Sequence, residues 1–371
     1  MIDGISVRNF KAFQDQTLHL RPLTLLTGLN GSGKSSVLQM LLLLRQSFES
    51  GGLITDHLYL NGNYVHLGTA QDIRNESAAE DRIEIGIKSN QKHLVWKLRF
   101  EATSERAASA ETPKGIDFEN GLFGDGFVFL AADRISPQIF YGVPDLESSA
   151  SRNLGIHGEW TAHFLSVYGE EAIKLKNCAH PGARSFQLRH QVEAWMGEVS
   201  PGVQIHLDSQ VELDLIGVTF SFVARRDVSR KFRPTNVGFG LTYALPIITA
   251  ILAAKPGDLI ILESPEAHLH PKGQTKLAEL LARAVKGGIQ ILVESHSDHV
   301  LNGLRVCIYD RILTPEDVEV LYFRWDNNSE QFGTTVQEIA VDIDGRIAIW
   351  PDGFFDEFDK SLEALLRPRH D

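Results

Sequence analysis

Cysteine is scarce: the 371 residues hold only Cys178 and Cys307, far apart and in no metal-ligand spacing. That excludes a disulfide framework and fits a reducing compartment. Long apolar runs are missing as well. The most apolar stretch, residues 37–44, is about two helical turns long and ends at Arg45, whereas a membrane span needs roughly 20 apolar residues. The first residues, MIDGISVRNFKAF, carry charges where a secretory leader needs an apolar core. Positive charge is in deficit, with a net charge of −12, so contact with nucleic acid would need a local basic patch. No internal repeat is visible, and no heptad run is long enough for a coiled coil. These absences predict a cytoplasmic protein with no membrane partner. What is present is an ordinary globular mixture, 43% hydrophobic and 23% charged. The length suits one large domain with insertions, or two.

Periodicity sketches the elements. ISVRNF and TLHL alternate as strands, and residues 23–26 form a short buried run. An apolar helix is expected over 34–48. RIEIGIKS and HLVWKLRF read as a hairpin turning at Asn90-Gln91. Residues 102–126 look like a loop, and GFVFLAADR like a buried strand. Residues 145–200 turn helical and polar, as an inserted helical subdomain would. VELDLIGVTFSFVAR returns to strand alternation. Helices are expected over 242–254, kinked at Pro246, and over 272–286. Strands are expected over 259–262, 289–294 and 318–325, with a last hairpin near 335–350 and a helix near 352–366.

Two segments carry chemistry. GLNGSGKS, residues 28–35, fits the phosphate-loop pattern in full, after a buried strand and before an apolar helix. Its glycines let successive N–H groups face an anion, and the helix start behind them favours negative charge. Lys34 would hold the β- and γ-phosphates of ATP and Ser35 would ligate Mg²⁺. IILESPEAHLHP is less plain. Its strand, ending at Glu263, suits the acidic strand of an ATPase, but His268, His270 and the glutamates could also be a metal cage. Two histidines two apart share a face only in an extended strand, and Pro265 and Pro271 bracket a turn instead. NVGFGLTYALP places two glycines at a helix start, and ILVESHSDH is a buried strand ending in a polar turn with His296.

In this order the segments resemble the ABC-type ATPase heads of the SMC, RecF and OLD-like group, over about residues 1–50 and 235–305. They are most similar to short bacterial OLD-like ATPases with a small C-terminal domain of unknown function, whose tail WPDGFFDEF resembles. The resemblance implies an α/β fold: an ABC-ATPase head with a P-loop parallel sheet core, an antiparallel β subdomain and an inserted helical subdomain. Residues 1–145 and 210–330 would form the head, 146–209 the helical insertion, and 331–371 a small C-terminal region. It further implies that Gly28, Asn30, Gly31, Ser32, Gly33, Lys34, Ser35 and Ser36 bind ATP, with Gln71 as the Q-loop glutamine and Arg8 and Lys11 near the nucleotide. Ser35 and Glu263 would hold Mg²⁺, and His296 would meet the γ-phosphate. Gly238 and Gly240 would touch the ATP of a second protomer in a homodimer or higher oligomer. Several relatives act in phage-defence or toxin–antitoxin-like operons, which implies an effector partner, a nuclease or toxin.

The sequence also departs from that group. The signature segment lacks the S-G-G-Q core of transporters. Ser264 stands where a catalytic glutamate is usual, and a serine cannot polarise water at neutral pH as a carboxylate does. Either Glu266 takes over, or hydrolysis is slow and ATP acts mainly as a dimer clamp in a regulatory scaffold. Arg225, Arg226, Arg230, Lys231 and Arg233 form a basic cluster, either a solvated loop or a contact for DNA, as in a RecF-like sensor. The tail residues Phe332, Ile339, Val341, Trp350, Phe354, Phe355, Phe358, Leu362 and Leu365 either pack on the head or form a docking surface.

Overall fold

The computed structural model describes residues 1–89, 92–99, 101–111, 113, 121–144, 152–225, 227–325 and 333–367. The turn at Asn90-Gln91, Arg226 and Phe332 lie outside them. At the centre is a six-stranded sheet. Its order is β16 (Thr334–Glu338), β15 (Val318–Trp325), β3 (Leu23–Gly28), β14 (Gln290–Glu294), β13 (Leu259–Glu263) and β8 (Phe127–Leu130). All neighbours run parallel except the edge strand β16. These strands read as continuous aliphatic runs because both of their faces are buried. Leu23, Leu25, Ile260, Leu262, Ile291 and Val293 belong to one core, with α5 (Phe239–Ala253), α6 (Pro271–Lys286) and α7 (Asp298–Tyr309). Leu26, Leu259, Ile261, Leu292, Leu321 and Phe323 belong to the other, with α1 (Lys34–Glu49).

A second sheet closes that other core. Its described strand pairs are all antiparallel, in the order β2 (Phe13–His19), β1 (Gly4–Phe10), β5 (Arg82–Ser89), β6 (Lys92–Arg99), β7 (Arg106–Glu111) and β4 (His57–Tyr59). The expected loop over 102–126 is corrected here by β7. Its sequence, RAASAE, has little β-propensity, and pairing to β6 and β4 decides its state. The short helix α2 (Ala70–Ile73) begins with a capping box between Thr69 and Asp72.

The expected insertion holds two helices, α3 (Thr161–Tyr168) and α4 (Leu188–Val199), but it is not helical throughout. β9 (Phe140–Gly142), β10 (Val203–Gln210), β11 (Leu215–Ala224) and β12 (Asp227–Val228) form a third, antiparallel sheet. Phe164, Trp195 and Met196 share one core with α5 and the central sheet, so this segment does not form a separate core of its own. Helix α5 starts three residues earlier than expected and runs through Pro246. The expected hairpin near 335–350 is replaced by β16 pairing back on β15, with only an isolated bridge between Val341 and Ile347. The tail divides. Ile339 and Phe354 are buried, Phe354 against Tyr322, while Phe358 and Leu365 on α8 (Glu357–Leu366) are exposed.

Leu292 is fully buried at the middle of the central sheet. Leu292→Ala should cost about 2–5 kcal/mol of stability. The denaturant midpoint should fall with the slope unchanged.

Candidate functional site

Strand β3 runs out at Gly28, and the chain loops back to enter α1 at Lys34. Two positions in this loop accept only glycine. Gly28 has φ +137°, and a Cβ there would lie 2.0 Å from the Phe323 carbonyl oxygen. Gly33 has φ +99°, and its Cβ would press on Ala12 and Phe13. Ser32 donates its hydroxyl to the Leu29 carbonyl at 2.7 Å and closes the turn. No side chain caps α1 and no acid stands in its first turn. The helix start is therefore left facing an anion position rather than satisfied from within. Lys34 is buried inside the loop, where its ammonium donates to the carbonyls of Gly28 (3.0 Å) and Leu29 (2.8 Å). Asn30, Gly31 and Ser35 are exposed, whereas Ser32 and Ser36 are buried.

Register brings two carboxylates to the same place. Glu263 ends β13 and Glu294 ends β14, and the two are paired neighbours, with Glu294 also opposite Leu26 of β3. In-register neighbours point to one face of a sheet. The Ser35 hydroxyl donates to Glu294, 3.2 Å from Oε2 and 3.4 Å from Oε1, and the Lys34 ammonium is 3.9 Å away. Burial raises the pKa of Glu294, against the opposing pull of Lys34 and Ser35. Glu263 accepts the Ala132 N–H at 3.1 Å. Burial, with Glu294 and Asp133 adding to it, pushes the Glu263 carboxyl up to about 7.

The ESPE turn follows. Ser264 takes φ +42° and donates its N–H to the Glu294 carbonyl at 2.8 Å. Glu266 accepts the His296 N–H on Oε1 at 2.9 Å, and its Oε2 is buried with no partner. The His296 side chain is exposed. Beneath the turn lies Arg134, buried at the end of the loop after β8. Its guanidinium donates to the carbonyls of Ala131 (2.9 Å), Glu263 (2.8 Å) and Ser264 (2.6 Å) and lies over the Tyr243 ring.

Tyr243 belongs to α5, whose start holds the glycine pair. Gly238 is exposed at the N-cap, and a Cβ on Gly240 would come within 2.7 Å of the His268 carbonyl. The rings of Phe239 and Tyr243 flank His268. Gly238, Gly240, His268, His270, Phe222 and Phe232 line an open cavity of about 500 Å³. His270 accepts the Lys272 N–H and caps α6. Among the described residues no group of three or more His, Cys, Asp or Glu could hold a metal ion. The histidine-cage alternative thus has no support in the geometry.

Other expected site residues stand apart. Gln71 is exposed on α2, with its N–H bonded to Ala102. Arg8 pairs with Glu80, and Lys11 donates to Gln39 on α1. Arg225, Arg230, Lys231 and Arg233 are exposed around β12, with Arg230 over the Phe232 ring. Sequence reasoning missed Glu294 and Arg134. Glu294 ends an aliphatic run just as Glu263 does, and that parallel was a usable signal. Arg134 gave none.

Residues 1–124 match the family described as "AAA ATPase domain", and residues 183–302 match "AAA domain, putative AbiEii toxin, Type IV TA system". Residues 313–365 match a "Protein of unknown function" family. No curated protein is significantly similar to the chain. Among solved structures, the SmcHead bound to the C-winged helix domain of ScpA superposes with TM-score 0.52 at 14% identity, covering 92% of this chain and 98% of that one. The SMC head domain from Thermotoga maritima gives 0.48 at 11% identity, over 92% and 99% of the two chains. The Pyrococcus furiosus Smc head with ScpA gives 0.49 at 12%, over 99% of each. Two segments of the chain are thus similar to AAA ATPase families, and its fold is like that of an SMC head domain. No helix among the described residues is long and apolar enough to cross a membrane.

Glu263 supplies a pH test. Its folded pKa of about 7 lies above the ordinary 4.5. The unfolded chain ionises first, so this group lowers stability as pH rises from about 4.5 to about 7. The full loss is about 3 kcal/mol. Glu263→Gln should remove that slope, melting above the wild type at pH 8 and equal to it near pH 4.

Proposed function

We propose that the chain binds Mg-ATP in the 28–35 loop, hydrolyses it slowly, and closes head to tail with a second copy to control a partner protein. The observation that carries this reading is the uncapped glycine loop around Lys34, facing the carboxylate ends of β13 and β14. Lys34 exchanges its two carbonyl partners for the β- and γ-phosphates. Asn30, Gly31, Ser32, Gly33 and Ser36 shape the loop and offer N–H groups.

Hard oxygen donors suit Mg²⁺, and the Ser35 hydroxyl beside Glu294, with Glu263 on the neighbouring strand end, is such a set. When bound, Mg²⁺ would offset the phosphate charge and polarise the γ-phosphoryl group. Ser35 and Glu263 are the residues that would hold it. Glu266 supplies the base that Ser264 cannot, since its Oε2 is buried and unpartnered. His296, anchored through its N–H to Glu266, turns its exposed ring to the γ-phosphate. Gly238 and Gly240 at the open cavity meet the ATP of the partner copy.

In this reading residues 1–145 and 210–330 form the head, 146–209 the insertion and 331–371 a small C-terminal region. The partner is an effector, a nuclease or toxin, in an antiphage or toxin–antitoxin-like system of the cytoplasm. The matched family's description, with its toxin and toxin–antitoxin wording, supports that context. A solved SMC head carrying a protein partner supports the idea of a controlled partner. One observation favours a second, DNA-sensing reading. The exposed Arg225, Arg230, Lys231 and Arg233 adjoin Phe222 and Phe232, which line the cavity beside Gly238. Loss of low-salt DNA binding when they are neutralised would support it.

ATP turnover tests the assignment. Glu266→Gln should slow hydrolysis about a hundredfold, and Ser264→Glu should raise it. The Glu266→Gln protein should double in mass with Mg-ATP. Unchanged turnover in Glu266→Gln would remove Glu266 from the mechanism.

A further inference from the structure

We propose that Glu294 is a second acidic residue of the Mg²⁺ site, so that the metal is held between two neighbouring strand ends and ATP binding becomes strongly dependent on it. This rests on the reading of the 28–35 loop as an ATP site. It goes beyond that reading by adding a residue with no part in the motif there. Of the two carboxylates, Glu294 is the one that already holds the Ser35 hydroxyl, through both of its oxygens. Its side chain is nearly closed to solvent. A carboxylate so placed is costly to keep unless a cation answers it. Lys34 answers it only at 3.9 Å, and the lysine's direct bonds go to Gly28 and Leu29. Register fixes Glu263 beside it, on the same face of the sheet.

Mg²⁺ is ordinarily held by one or two carboxylates together with substrate phosphates, rather than by a protein cage. A pair of carboxylates and one hydroxyl fits that pattern. It also agrees with the absence of any larger ligand cluster among the described residues. The consequence is electrostatic. Once Lys34 is drawn to the phosphates, the buried Glu294 and the half-buried Glu263 face a polyphosphate. Without Mg²⁺ they repel it, and with Mg²⁺ they draw it in.

The test is calorimetric titration of the full chain with ATP, once in excess Mg²⁺ and once in EDTA, reading the ratio of the two dissociation constants. Glu294→Gln keeps the shape and removes the charge. It should tighten metal-free ATP binding by about tenfold and weaken Mg-ATP binding, so the ratio contracts by more than tenfold. Glu294→Asp keeps the charge but draws it back by a methylene. It should retain weak metal-free binding while losing part of the Mg²⁺ effect. A ratio that stays the same in Glu294→Gln overturns this assignment and leaves the ATP site standing. Failure of the wild type to bind ATP under either condition overturns both.

Discussion

The site depends on the parallel register of three strands. β13 and β14 end level with each other at Glu263 and Glu294, opposite Leu26, and β3 runs two residues further to Gly28. A parallel sheet aligns all its strand ends on one side, and helix starts that follow such strands offer N–H groups there. One glycine loop, one helix start and two carboxylates thus converge although more than two hundred residues separate the first from the last. The aliphatic cores on both faces make this register rigid, because slipping any of the strands by one residue would exchange its two buried faces.

Arg134 ties this centre to the outer face. Its guanidinium fixes the backbone of Glu263 and Ser264 and rests on Tyr243 of α5. Tyr243 in turn packs on His268, whose carbonyl bears on Gly240. The left-handed turn at Ser264 and the glycine pair at the start of α5 are therefore one connected unit. The charged guanidinium donates to backbone carbonyls at the base of the turn, and that of Ser264 also accepts the Ala267 N–H. A change in the turn at Ser264 has a short physical route to the cavity beside Gly238.

Much of this was legible in the sequence. The loop 28–35 is contiguous and its chemistry is local, so its motif could be read without the fold. The aliphatic runs before Glu263 and Glu294 announced central parallel strands. What stayed hidden depends on contacts between distant segments. β7 has no propensity of its own and is made by its neighbours. The third sheet unites β9 with β11 across the whole insertion. Arg134 follows an unremarkable strand, and only the approach of β13 to β8 places it under the ESPE turn. Glu294 holds no place in a contiguous motif, and only the pairing of β14 with β13 sets it beside Glu263.

The account stands or falls on the glycine loop as an ATP site. Equilibrium titration of Mg-ATP into the wild type and Lys34→Ala measures this most directly, with melting curves to verify that both are folded. Saturable binding of one ATP per chain, lost in a folded Lys34→Ala, is the result expected. Equal affinity in the two proteins, or no binding by the wild type, would contradict it.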